Sequence, residues 1–113
     1  VHDKVTEGQI LYKLHKVRER DRHIIQRKKE QAMDIHGRLY CEACAFDYQR
    51  TYGTLGQGYI ECHHRTPLAT LEAERETTLS DLALVCANCH RMLHRSMSSL
   101  TLEGLRQIIR ASA

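Results

Sequence analysis

Five cysteines and eight histidines in 113 residues give this chain a dense supply of metal-binding side chains. Cys41-Glu-Ala-Cys44 and Cys86-Ala-Asn-Cys89 are two C-x-x-C pairs with 41 residues between them. A tight turn lets both sulfurs of one pair reach a single ion. A second pair then completes a tetrahedron, the closed ligand set of structural zinc. One such pair would also suit a redox dithiol, but two in so short a chain favour zinc. Cys62 has no partner at this spacing and is expected to pack on the inner side of its strand.

The histidines carry a second pattern. His90 and His94 stand four apart, so a helix presents both on one side. Cys89 fixes where that helix begins. His63 and His64 are neighbours at the end of the alternating run GYIECHH, and adjacent strand residues point to opposite faces. One of the two can complete a three-histidine site with His90 and His94. The other must point elsewhere, for example toward a substrate. Three protein ligands with open positions is the pattern of a catalytic metal. A histidine beside it is the usual general base near neutral pH. His2, His15, His23 and His36 show no such pairing and read as ordinary surface or core residues.

These groups need elements to hold them. Ile10, Leu14, Val17, Ile24 and Ile25 recur at helical spacings and predict one long charged helix over residues 8–36, stopped by Gly37. The three glycines of GTLGQG (Gly53 to Gly58) predict a loop or hairpin turn. TPLATLEAERETT reads as a polar connection, LSDLALVC as a short apolar stretch, and NCHRMLHR as a helix. The end of the chain predicts an amphipathic helix with Leu102, Leu105, Ile108 and Ile109 on one side and Thr101 as its N-cap. The division expected is a charged linker helix, 1–36, and a single domain, 37–113.

With aromatics at 5% and no Trp, a domain of this size buries little surface and needs a staple, a role zinc can fill. There is no apolar run of membrane-spanning length and no signal-peptide pattern. The expectation is a soluble, cytoplasmic protein, with no membrane partner. The chain starts at Val1 rather than Met and reads as part of a longer protein. Its net charge is +3, and residues 1–36 hold nine Lys and Arg against six Asp and Glu. Lys16, Arg18, Arg20, Arg22, Arg27, Lys28 and Lys29 crowd one segment, which suits a nucleic-acid partner or a solvated helix face. Residues 37–113 are balanced, and every basic residue there is Arg, the side chain suited to bidentate phosphate contacts.

The series CEAC, ECHHRTPL and LSDLALVCANCHRMLH resembles the HNH endonuclease family over roughly residues 38–96. That resemblance implies an α+β fold, a small treble-clef-like ββα-metal domain on a structural zinc, here preceded by the long charged helix. It implies that His63, His90 and His94 hold a catalytic divalent metal such as Mg²⁺, Mn²⁺, Ni²⁺ or Zn²⁺. It makes His64 the general base and Cys41, Cys44, Cys86 and Cys89 the zinc ligands. Asp81 occupies the family's central Asn position, where an amide would bond across the loop; a carboxylate accepts hydrogen bonds but has no amide donor. Arg65, Arg91 and Arg95 flank the ligands and are the expected DNA contacts. The implied reaction is hydrolysis of double-stranded DNA, leaving 5′ phosphates. Similar domains form the C-terminal part of modification-dependent restriction endonucleases, so an upstream reader of modified bases is an expected partner domain. Two rivals remain: a non-catalytic zinc-stabilised nucleic-acid-binding module, and a structural or toxin-like partner-binding domain in which residues 8–36 form a homodimer.

Overall fold

A computed structural model of the chain describes residues 8–65, 77–95 and 100–113, with residues 8–21 as helical backbone only. The expected helix is present as α1, Gly8–His36. Gly37 ends it in the left-handed region at φ 74°, where glycine carries no Cβ penalty, and its N–H donates to Met33 O at 2.9 Å. The apolar stripe at Ile10, Leu14 and Val17 lies outside the residues whose side chains are described. So does most of the polar connection, at residues 66–76.

The first Cys pair sits in a turn closed from both sides. Ala45 N–H donates to Cys41 O and Cys41 N–H donates to Phe46 O, each at 2.8 Å. Ala45 pays for this closure with φ 70°, an uncommon conformation for a residue with a Cβ. A single helical turn follows, α2, Tyr48–Tyr52, capped by Asp47, whose side chain accepts from Arg50 N–H. The glycine-rich stretch then makes a 3₁₀ turn, Gly53–Gly56, rather than a hairpin. Gly56 must be glycine, because a Cβ there would lie 2.2 Å from Tyr48 O.

Two short strands make the sheet: β1, Glu61–His64, and β2, Leu82–Val85. They pair antiparallel, with Glu61 opposite Val85, Cys62 opposite Leu84, His63 opposite Ala83 and His64 opposite Leu82. Residues directly opposite share a face. His63 therefore lies on the face of Ala83 and Val85, which join Cys41, Cys86, Cys89, Leu93, Leu102 and Leu105 in the core cluster. Cys62 and His64 lie on the face of Leu82 and Leu84. That face meets α1, and a cavity of about 300 Å³ between them is lined by Ala32, Ile35, His36 and Leu84, among others. With helices on both faces, the strand has no unique inner side. Cys62 is half-buried, and the most enclosed member of the strand is His63.

Beyond β2 runs α3, Ala87–Arg95, and then α4, Leu102–Ser112. Thr101 caps α4 as expected, its side chain accepting from Gly104 N–H at 3.0 Å. Leu102 and Leu105 are buried and Ile109 packs on the core, but Ile108 is 52% exposed. At 100° per residue the stripe follows 102, 105 and 109, and Ile108 falls on its outer edge. The knuckle and the sheet are also locked together. Glu42 N–H donates to Leu84 O at 2.8 Å, while Leu84 N–H donates to the Glu42 carboxylate at 2.6 Å. Arg106 Nε donates to Glu42 O at 2.7 Å, which ties α4 to the same residue. No described helix is long and apolar enough to cross a membrane.

Candidate metal centres

The fold gathers the two Cys pairs. The Sγ atoms of Cys41, Cys44, Cys86 and Cys89 all lie within 4.8 Å of one another. Cys86 closes the second knuckle by accepting from Cys89 N–H at 3.4 Å, directly at the start of α3. Tyr48 reinforces the same point, its hydroxyl accepting from Ala87 N–H at 2.9 Å. Burial, then the charge of Cys41, pushes the Cys89 thiol far up. Burial also raises Cys44. Burial opposes ionisation at Cys41 too, but backbone hydrogen bonds from Cys86, Cys44 and Ala43 outweigh it and hold that thiol below its ordinary value. Four sulfurs this close ionise together only with a cation among them. The donor set is that of a closed zinc site.

The second gathering is His63, His90 and His94, with ligand nitrogens within 4.8 Å of one another. Ring centroids are 5.5 Å apart for His63 and His90, 5.1 Å for His63 and His94, and 4.8 Å for His90 and His94. Strand β1 supplies one imidazole and successive turns of α3 supply the other two. His63 is 9% exposed, His90 half-buried and His94 exposed, so the cluster is closed at its base and open at its mouth. His63 Nδ1 is buried and has no hydrogen-bond partner. An unpaired buried nitrogen is costly, and a cation shared with the neighbouring imidazoles would satisfy it. Burial first, then the charge of the other histidines, lowers His63 to about 4. Burial likewise lowers His94. Both rings are thus neutral near pH 7, the form that binds a metal.

The other candidate residues are placed as follows. His64 is on the opposite face of β1 from His63, as strand alternation requires. Asp81 lies in a 3₁₀ turn, Leu79–Asp81, where its carboxylate accepts from Thr78 N–H at 2.8 Å and Thr78 Oγ1 at 3.1 Å in a capping box. Its backbone oxygen accepts from Arg65 N–H at 2.7 Å, extending the strand pairing one residue past His64. Asp81 therefore fixes the segment that carries His64 through its main chain. Arg65 forms an ion pair with Glu103 at 2.6 Å. Arg91 and Arg95 are exposed on α3.

Glu61 is a site residue that the spacing analysis passed over. Its carboxylate lies 2.8 Å from His90 Nδ1, and its other oxygen accepts from the Tyr59 hydroxyl at 2.9 Å. The signal was available, since Glu61 is two residues before His63 and so on the same face of the strand.

The arrangement is a strand pair followed by a helix, presenting a three-histidine cluster on a four-cysteine scaffold. This defines a ββα-metal domain. Residues 41–96 match the model of the HNH endonuclease family, and the chain carries a domain of that family. Membership brings nuclease activity in general, with DNA as the family's substrate. Neither the curated proteins nor the solved structures compared with the chain gave a match.

Proposed function

We propose that the chain is a metal-dependent DNA endonuclease, the nuclease part of a modification-dependent restriction enzyme, with residues 1–36 as its linker helix and 37–113 as its catalytic domain. The observation that carries this reading is the gathering of one ligand nitrogen each from His63, His90 and His94 within 4.8 Å of one another, beside a His63 whose buried Nδ1 has no hydrogen-bond partner. Those three residues would hold a divalent cation, which supplies stabilisation of charge on the phosphate and on the departing 3′ oxygen. His64 takes a proton from water, and the water oxygen attacks phosphorus, leaving a 5′ phosphate. Asp81 positions His64 through the Arg65 main chain. Cys41, Cys44, Cys86 and Cys89 hold zinc and set the start of α3, hence the placement of His90 and His94.

Arg65, Arg91 and Arg95 locate the DNA backbone. The Arg65–Glu103 pair is 42% and 55% exposed, and pairs of that kind contribute little, so a phosphate can replace Glu103. Each Arg→Ala change is expected to weaken duplex binding evenly across sequences and to reduce the salt slope of binding by about one. Fluorescence anisotropy across a salt series reads this directly, and an unchanged slope would remove that arginine from the interface.

Backbone contacts carry little sequence information, so selectivity is expected to come from outside this domain. The test is nicking of supercoiled plasmid, methylated and unmethylated, by zinc-loaded protein across Mg²⁺, Mn²⁺, Ni²⁺, Co²⁺ and Zn²⁺. Nicking with at least one metal and none in EDTA is expected. DNA binding without nicking under every metal would instead make this a non-catalytic binding module.

A further inference from the structure

We infer that Glu61 and Tyr59 form a positioning relay that sets which nitrogen of His90 faces the metal centre. The inference rests on His90 being a metal ligand. A carboxylate can only accept hydrogen bonds, so the 2.8 Å contact between Glu61 Oε1 and His90 Nδ1 places the ring proton on Nδ1. The neutral ring then has its lone pair on Nε2. Of the two tautomers, this one leaves Nε2 able to coordinate and makes the imidazole a better donor. Without such a partner, His90 would exchange between tautomers, and a metal would have to select one.

Tyr59 holds the carboxylate in place. Its hydroxyl donates to Glu61 Oε2 at 2.9 Å, so the two carboxylate oxygens serve different partners. Ile60, between them, is 4% exposed and anchors the backbone in the core. The Tyr59 ring packs edge-on against Tyr48, with centroids 4.7 Å apart, and Tyr48 bonds the first N–H of α3 through Ala87. The relay thus begins and ends on the same helix. Its two contacts with α3 lie three residues apart, at Ala87 and His90. A shift of α3 against β1 would break both, so the relay also fixes the register of His90 against His63.

The test uses protein with zinc in the cysteine cluster and no second metal added. Long-range ¹H–¹⁵N correlation spectra report which nitrogen of each histidine is protonated. His90 is expected as the Nδ1–H form in the parent protein. Glu61→Ala should move it toward Nε2–H, Tyr59→Phe should move it part of the way, and His94 should stay unchanged in both. Calorimetric titration with Ni²⁺ is expected to show affinity falling 10- to 100-fold in Glu61→Ala. Glu61→Gln, which keeps an acceptor oxygen, should recover part of the loss. His90 remaining Nδ1–H in Glu61→Ala, or an unchanged Ni²⁺ affinity, would overturn the relay. Should Glu61→Ala not fold, Tyr59→Phe removes one hydroxyl from a side chain 47% exposed, and a His90 signal and Ni²⁺ affinity identical to the parent would overturn the proposal there. Neither readout uses DNA. A parent protein that nicks no plasmid while its His90 tautomer responds to Glu61→Ala would therefore sink the nuclease reading and leave the relay standing.

Discussion

Cys86→Ser is expected to leave residues 37–113 without a stable fold. Zinc binding in small domains supplies on the order of 10 kcal/mol of apparent folding free energy, comparable with the whole net stability of an ordinary domain. Little in this chain could replace it. The buried cluster contains three of the four gathered cysteines, Cys41, Cys86 and Cys89, so the candidate zinc site is part of the core rather than an attachment to it. Cys86 is also the acceptor for Cys89 N–H at the start of α3. Its loss would free that helix end and, with it, His90 and His94. Far-UV circular dichroism with a zinc-to-protein ratio is the direct measurement. The expected result is a ratio well below one and loss of a cooperative melt, reproduced in the parent protein by a strong chelator. A Cys86→Ser protein that keeps one zinc and a cooperative melt would remove Cys86 from the ligand set, and a parent protein that still melts cooperatively in the chelator would remove zinc from the account of the fold.

Much of this architecture was readable before any coordinates. The C-x-x-C pairs, the i, i+4 histidines and the adjacent doublet are short-range patterns, and helix and strand periodicity turn each into a direction in space. The alternation rule left open which of His63 and His64 joins His90 and His94; the ring distances place His63 with them. What the sequence hid depends on contacts between distant positions. Tyr48 reaches Ala87 across 39 residues and Glu42 reaches Leu84 across 42, and nothing in local composition pairs them. Glu42 looked like the arbitrary x of a C-x-x-C motif, yet its side chain completes a two-way exchange with β2. Asp81 raised a question because a carboxylate lacks the amide donor of Asn. Its acceptor role in the Thr78 capping box needs no donor, and its link to the strand runs through the backbone, which any residue provides. Ile108 was misplaced because an apolar residue one position from a stripe is hard to tell from a member of it.

His64→Ala and His63→Ala, made as a pair, are expected to give different defects although the residues are adjacent. On the proposed mechanism His64 supplies general-base catalysis, worth about 10²- to 10⁴-fold in rate. Its removal should lower nicking by that factor. Ni²⁺ affinity and duplex binding should stay near the parent values, because the ring lies on the other face of β1 from the three-histidine cluster. His63→Ala should act the other way round. It takes one of three ligands from the cluster, so Ni²⁺ affinity should fall steeply and nicking should be lost with it. It also removes an unpaired buried nitrogen, which offsets part of the packing lost at a nearly enclosed site. Thermal stability measured with zinc in the cysteine cluster and no second metal should therefore drop less than deletion of a buried ring ordinarily implies. The informative comparison is between metal affinity and rate across the two variants. Equal loss of Ni²⁺ affinity in both would mean that the doublet acts as one ligand unit, contrary to the strand geometry. Full nicking by His64→Ala would transfer the base to another group. Affinity kept and rate lost in one variant, with both lost in the other, would assign the two neighbours separate work in the reaction.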